Sequence, residues 1–273
     1  MAKRWNKAEE NSKHKELLTL YVKENRTIAE IGRILSLSES AVYDRLLRLK
    51  IPSLRHKKPG YNNINTEIVV PKHYTSDLAE FIGILLGDGH LSPTQVTITL
   101  GTKENTYAKY VIKLTEKIFG IKPKLIFSKS GYAIIYFGST LTVRWLLSMG
   151  LAFNKVLSQV DVPKWCFAKT IFMISLLRGL VDTDGSIYKL RSGGLQISLC
   201  NRSRLLLKSA HKIFLNLGFT PSKIGDKNIY LTRKENIDRY VKEIGFSNPK
   251  HLKRYIGFSN IMGGSYSGNY TRL

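Results

Sequence analysis

Two stretches decide how this sequence folds: EFIGILLGDGHL at residues 80–91 and LLRGLVDTDGSI at residues 176–187. At 3.6 residues per turn each reads as an apolar helical run with small residues four apart. These are Gly83 and Gly87 in the first run, Gly179 and Thr183 in the second, and each run ends in Asp-Gly. The correspondence continues past the runs. Gly120 to Pro123 follows Asp88 as Gly218 to Pro221 follows Asp184, and GLAFNK and GFSNPK end at Lys155 and Lys250. Those lysines lie 67 and 66 residues after their aspartates. Landmarks in register over this length mean an internal duplication.

The elements between the landmarks repeat as well. In QVTITLG, Gln95, Thr97 and Thr99 alternate with Val96, Ile98 and Leu100; in LQISLCN, Gln196, Ser198 and Cys200 alternate with Leu195, Ile197 and Leu199. Period-two alternation predicts strands with one polar and one core face. Amphipathic helices follow, YAKYVIKLTEKIF and RLLLKSAHKIFLNL. Then come paired strands, KLIFS with YAIIYFG and a shorter SKIG with NIYLTR, and closing helices around TVRWLLSMG and NIDRYVKEIG. The predicted order is αββαββα, twice.

An aspartate at a helix C-terminus sits on roughly half a negative charge and is disfavoured there by about 0.3–1 kcal/mol. Gly89 and Gly185 explain why each helix stops, as residues free to turn left-handed, but not why an acid precedes them. A divalent cation would explain it. If helices 78–87 and 174–183 pack through their small residues, Asp88 and Asp184 come side by side. Adjacent carboxylates repel and call for cations between them; metal ions so placed can serve both the attacking water and the leaving oxygen of a phosphodiester. Asp182 has Leu86 as its counterpart, so it is assigned to helix packing or capping.

Upstream, TIAEIGRILSLSESAVYDRLLRLKI carries a capping box at Thr27 and Glu30, an apolar face of Ile28, Ile31, Ile34 and Leu35, and a short Ser36–Ser38 turn. Ser38 or Glu39 opens a second helix with Val42, Leu46 and Leu49 inside. This predicts a helix-turn-helix-like head over residues 1–58, with Ser40, Tyr43, Arg45 and Arg48 facing outward. A linker at 59–74 follows, beginning in a Pro-, Gly- and Asn-rich basic segment.

The chain has 43 Lys and Arg against 20 Asp and Glu, a net charge of +23. That balance points to a polyanionic partner, nucleic acid first. The excess is dispersed: residues 1–60 hold 14 basic and 7 acidic residues, and residues 247–273 hold 4 and none, so the body is cationic in its own right. Cys166 and Cys200 are too few for a disulfide framework or a cysteine zinc site and read as two buried thiols in a reducing compartment. The six histidines show no metal-binding spacing. DTDGSIYKL lacks the further acids of a calcium loop. No apolar run approaches about 18 residues and the N-terminus has no apolar h-region, so a cytoplasmic protein without membrane contact is expected. The chain opens without a splicing Cys or Ser and closes without His-Asn, which argues against an intein.

FIGILLGDG and LRGLVDTDG resemble the two motifs of the LAGLIDADG homing endonucleases, here in a single chain, with the element order matching over residues 75–255. The resemblance implies an α+β fold of two pseudo-twofold-related αββαββα halves, residues 75–164 and 165–258, with saddle-shaped antiparallel sheets of four strands each. The helical head precedes them and a C-terminal tail, 259–273, follows. It further implies a monomer that hydrolyses one phosphodiester in each strand of a long duplex DNA site, across the minor groove, with Mg²⁺ (or Mn²⁺), leaving short 3′ overhangs. Carried over residue by residue, the catalytic positions fall on Asp88, Asp184, Lys155 and Lys250, and the metal site on Asp88 and Asp184 with Gly87 and Thr183. DNA contacts are expected from the polar strand positions Gln95, Thr97, Thr99, Gln196 and Ser198. Lys103, Lys124 and Lys129 join them from the first half, and Lys189, Arg191, Asn201, Arg202, Tyr230 and Thr232 from the second. Tyr43, Arg45 and Arg48 would add contacts from the head. Two other functions fit the same scaffold: an intron maturase that binds RNA, and a DNA-binding regulator that does not cut.

Overall fold

The computed structural model describes residues 5, 7–24, 26–51, 65, 67–101, 103–128 and 131–261. The chain divides into two compact units, residues 1–61 and 62–273, each with its own hydrophobic core.

The first unit is helical: α1 (Lys7–Leu18) runs into a π-helical turn (Thr19–Lys23), followed by α2 (Ile28–Leu35) and α3 (Glu39–Arg48). The Thr27–Glu30 capping box is formed in both directions, and Ser38 caps α3 by accepting from the Ala41 N–H. Leu17, Ile31, Val42 and Leu46 make the core. Two expectations fail here. Ile34 is 52% exposed and so lies off the apolar face: at 3.6 residues per turn it stands about 120° around α2 from Ile28, whereas Leu35 stands about 20° from it. Arg45, expected outward, is buried: its guanidinium lies 4.2 Å over the Trp5 ring and donates to the Ala41 carbonyl. The long apolar stem of arginine and its planar head suit such a place.

The second unit is built around α4 (Ser76–Gly87) and α7 (Thr170–Asp184), which pack along their lengths. Between and after them come β1 (Gly89–Ser92), β2 (Gln95–Gly101), α5 (Asn105–Phe119), β3 (Lys124–Phe127), β4 (Tyr132–Phe137) and α6 (Thr140–Ser148). The second half continues with β5 (Gly185–Lys189), β6 (Leu195–Cys200), α8 (Arg204–Asn216), β7 (Asn228–Leu231), α9 (Lys234–Arg239) and α10 (Pro249–Ile261). The fold is α+β, with antiparallel sheets in the orders β1-β2-β4-β3 and β5-β6-β7. Alternation places Val96, Ile98 and Leu100 in the core with Ile197 and Leu199. Burying each such side chain contributes ~1.5–3 kcal/mol. Cys200, expected buried, is exposed on the polar face of β6, while Cys166 is in the core.

The two halves are not identical. SKIG (residues 222–225) was expected to supply a fourth strand to the second sheet and does not. Pro221 has no N–H to donate, and the Ser222 hydroxyl takes the Tyr230 N–H at 3.1 Å, where a strand carbonyl would sit. Only two backbone bonds remain, Ser222 N–H to the Tyr230 carbonyl and Gly225 N–H to the Asn228 carbonyl.

Candidate active site at the paired helix ends

Glycine sets the approach of α4 and α7. A Cβ on Gly83 would lie 2.2 Å from the Leu176 carbonyl oxygen and 2.9 Å from the Leu180 nitrogen. A Cβ on Gly179 would meet the Glu80 oxygen and Ile84 nitrogen at the same two distances. The contact is reciprocal, as a twofold relation between the helices requires. One turn on, a Cβ on Gly87 would touch the Thr183 hydroxyl and come within 3.3 Å of the Asp184 carboxyl carbon. The two helix ends therefore meet with Asp88 and Asp184 beside each other. Gly89 and Gly185 differ from expectation, since neither is left-handed. They are small because the chain doubles back on its own helix: a Cβ would strike the Leu85 oxygen at 2.4 Å or the Val181 oxygen at 2.3 Å.

The setting is costly for two acids. Burial, then the Asp184 charge, then Glu104 push the Asp88 carboxyl up from 3.8 to about 7. Asp184 is also raised, by burial; a hydrogen bond from the Asn201 amide at 2.6 Å and the charge of Lys155 oppose the rise. Asp182, fully buried, is pushed far higher by burial and by Glu80. It accepts from the Ser247 and Asn248 N–H groups at 2.8 and 3.1 Å and so ties the 245–250 loop to α7. That is a packing role.

The two lysines separate. Lys155 reaches the C-terminus of α4, donating to the carbonyls of Leu85 (3.2 Å), Leu86 (3.0 Å) and Gly87. An ammonium there answers the helix dipole and stands beside both aspartates, whose charges partly offset the lowering of its pKa by burial. Lys250 does not do this for α7. It donates to Glu104 at 2.7 Å, a carboxylate that also accepts from Asn248 at 2.7 Å. Burial pushes Glu104 up, but the hydrogen bonds from Lys250 and Asn248, with the Lys250 charge and the Gly101 N–H, bring it below the usual range. The residue in Lys155's place on α7 is His251. Its Nε2 lies 3.3 Å from the Asp182 carbonyl oxygen, the counterpart of the Leu86 carbonyl, which also accepts from Asn248 at 3.2 Å. Burial, and then Lys250, lower its pKa to about 4, so the ring is neutral. The spacing held this information: His251 is 67 residues after Asp184, as Lys155 is after Asp88.

Glu104, Asn201 as a ligand of Asp184, and His251 were thus not identified from sequence as parts of the centre; each acts through a contact between distant segments. The remaining expected DNA contacts lie as follows. Thr99, Lys103, Lys124, Lys189, Arg191, Arg202 and Thr232 are exposed, and Gln95, Thr97, Ser198 and Tyr230 are half-buried on the polar strand faces. Gln196 accepts from the Tyr188 hydroxyl. A crevice of about 350 Å³ opens among Gln95, Lys122, Lys124 and Tyr136. Tyr43 is exposed, Arg48 pairs with Glu10, and Lys129 lies outside the described residues.

The oxygen donors fit a hard divalent cation: two carboxylates, one with a strongly raised proton affinity, at helix ends rich in carbonyls. Among the described residues no group of three His, Cys, Asp or Glu side chains could hold a metal, so water and phosphate oxygens would have to complete the shell. Among them, too, no helix is long and apolar enough to cross a membrane.

Residues 172–245 match a family model described as "LAGLIDADG-like domain". The chain is 24% identical over 271 residues to the replication factor C small subunit of Methanocaldococcus jannaschii, covering 91% of this chain and 14% of that protein. It spans between 14% and 20% of the length of the curated relatives it matches. Among solved structures it is similar to the homing endonuclease I-DmoI, with 13% identity and a TM-score of 0.46, covering 62% of this chain and 88% of that one. It is also similar to full-length DUF199/WhiA from Thermatoga maritima, with 14% identity and a TM-score of 0.46, covering 74% and 65%. The family match falls on the second half of the chain, residues 172–245, and the same helix-to-aspartate unit recurs in its first half.

Proposed function

We propose that the chain is a site-specific, metal-dependent endonuclease that cuts both strands of duplex DNA. The observation that carries this reading is the pair of acids. Two helices are brought into backbone contact by Gly83 and Gly179, and each delivers a carboxylate to one half-buried point, where burial, and then the neighbouring charge, lift one of them to about 7. A fold has no structural use for that arrangement. Natural sites accept such a cost where function requires it.

Asp88 and Asp184, with the carbonyls at the helix ends, would hold Mg²⁺, which supplies positive charge to the phosphate and a more acidic water. The rest falls to the chain itself. Its +23 charge draws in the duplex, and the polar strand positions with Lys103, Lys124, Lys189 and Arg202 line the surface that would read it. Lys155 keeps a fixed ammonium at the end of α4 beside both acids. Asn201 holds Asp184 in one orientation through its 2.6 Å hydrogen bond. The helical head, residues 1–58, extends the contact on DNA and takes no part in the chemistry.

The reading is tested by selecting, from a randomised duplex pool, the sequences this protein retains in EDTA, and then adding Mg²⁺. Paired cuts a few nucleotides apart, one per strand, support it. Retained duplexes that stay intact in Mg²⁺ and in Mn²⁺ refute it and leave a DNA-binding protein that does not cut.

A further inference from the structure

The outer face of the first sheet is not wholly polar. Strand register sets Thr99, Ile134 and Ile126 in one row across β2, β4 and β3, Thr99 beside Ile134 and Ile134 beside Ile126. Their side chains stand away from the core, because Ile98 and Ile135, which alternate with Thr99 and Ile134, are buried. Ile126 is 47% exposed, and Tyr132, the next outward residue of β4, is 50% exposed. The Thr99 N–H donates to the Asp88 carbonyl at 3.2 Å, so the row lies toward the end of the sheet that meets the paired acids. The second sheet has a matching row. Gly89 pairs with Ile98 as Gly185 pairs with Leu199, so Thr99 corresponds to Cys200 and Ile134 to Asn228. The fold thus accepts a polar residue at this position, and packing does not require isoleucine there. Because β3 is an edge strand, apolar side chains left open beside it invite misassembly. A partner that covers them removes that cost.

We propose that Ile134 and Ile126 read the 5-methyl groups of thymines in the major groove, which makes them specificity-determining residues. This rests on the duplex-binding part of the reading above and not on the cutting. A two-stranded antiparallel ribbon fits the major groove, where thymine alone among the four bases presents a methyl group. Isoleucine has no hydrogen-bonding group, so that methyl is the one base feature it attracts. Set against the amino group of adenine or cytosine, it would displace water and offer no partner in return. Neighbouring strands lie about 4.8 Å apart and base pairs about 3.4 Å, so the two isoleucines reach more than one base pair. The strand positions of this face carry no carboxylate, and Lys124, two residues along β3 from Ile126, adds a positive charge toward the phosphates. Burying one methyl group is worth about fourfold in affinity.

The test measures binding by the whole chain in EDTA. From a duplex retained out of a randomised pool, each thymine is replaced in turn by uracil, which removes the methyl and leaves the pairing edge intact. Anisotropy then gives the affinity of the wild type, Ile134→Ala and Ile126→Ala for each duplex. We expect at least one thymine near the centre of the site where uracil weakens wild-type binding about fourfold. One or both variants should bind the thymine and uracil forms of that duplex equally. Should Ile134→Ala lose stability, Ile126→Ala, at the more exposed side chain, decides alone. Uracil effects equal in the wild type and both variants overturn the proposal, and so does the absence of any uracil effect. A dimer of the free protein that Ile126→Ala dissolves would assign the patch to a second copy and overturn it as well. Retention of no preferred sequence is a different result: it refutes the site-specific DNA reading, and thymine recognition with it.

Discussion

Consider Asp88→Asn, which keeps the shape of the side chain and removes its charge. In the folded protein the Asp88 carboxyl titrates near 7, against an ordinary 3.8. A folded-state pKa raised in this way favours the fold while the group is protonated. That contribution is complete below the unfolded value and is lost as the pH rises through about 7. Asparagine loses nothing over the same range. At 1.36 kcal/mol per pH unit, the displacement sets a ceiling of ~4 kcal/mol. Asp88 is only half-buried and water screens part of the repulsion, so a gain of ~1–2 kcal/mol at pH 8 is the working figure. For a unit of this size that is a rise of about 3–6 °C in melting temperature. Thermal unfolding of wild type and variant at pH 4 and pH 8, in EDTA, measures it: the variant should be more stable at pH 8 and level with the wild type at pH 4. Adding Mg²⁺ at pH 8 should then stabilise the wild type and not the variant. A variant no more stable at pH 8, or one with the same advantage at both pH values, would refute the claim that burial and the Asp184 charge hold the Asp88 carboxyl against ionisation.

Other perturbations probe different parts of the account. Gly83→Ala or Gly179→Ala puts a methyl 2.2 Å from a backbone oxygen of the facing helix. Each should destabilise the body by about 1–3 kcal/mol or more, seen as a lower denaturant midpoint; unchanged midpoints in both would mean the helices do not meet there. Deleting residues 1–58 should weaken duplex affinity and flatten its salt dependence, measured by anisotropy across a salt series, because the head then no longer adds its effective concentration at adjoining DNA. Undiminished affinity with the same salt slope would make the head a separate element without a DNA role. In limiting Mg²⁺, cutting should fall as the pH drops below about 7, because protons then compete with the metal for Asp88. A rate flat from pH 8 to pH 6 would contradict this.

How much of this was legible beforehand follows from where the information sits. The duplicated Gly-x-x-x-Gly and Asp-Gly pattern is local, and it places α4, α7 and their junction without reference to any other segment. Strand alternation likewise gave the faces of β2 and β6. What escaped depends on contacts between distant residues. Arg45 reads as an outward base on a helical wheel until Trp5, forty residues earlier, covers it. SKIG reads as a strand until the Ser222 hydroxyl takes a ladder bond. Pairing Lys155 with Lys250 matched residue type at the expense of one position in register, whereas the fold keeps the register and accepts His251. Gly89 and Gly185 were expected to serve by left-handed geometry and serve instead by lacking a Cβ, a distinction that needs coordinates.

The most direct test of the central claim, that Asp88 and Asp184 together form a metal-dependent centre for cutting DNA, compares the wild type with Asp88→Asn and Asp184→Asn on one selected duplex. Binding is measured in EDTA and cleavage in Mg²⁺. The account predicts affinities within a few-fold of each other for all three proteins, double-strand cleavage by the wild type in Mg²⁺ and not in EDTA, and no double-strand cleavage by either variant. Wild-type cutting rates in either variant, or cleavage that persists in EDTA, would contradict it.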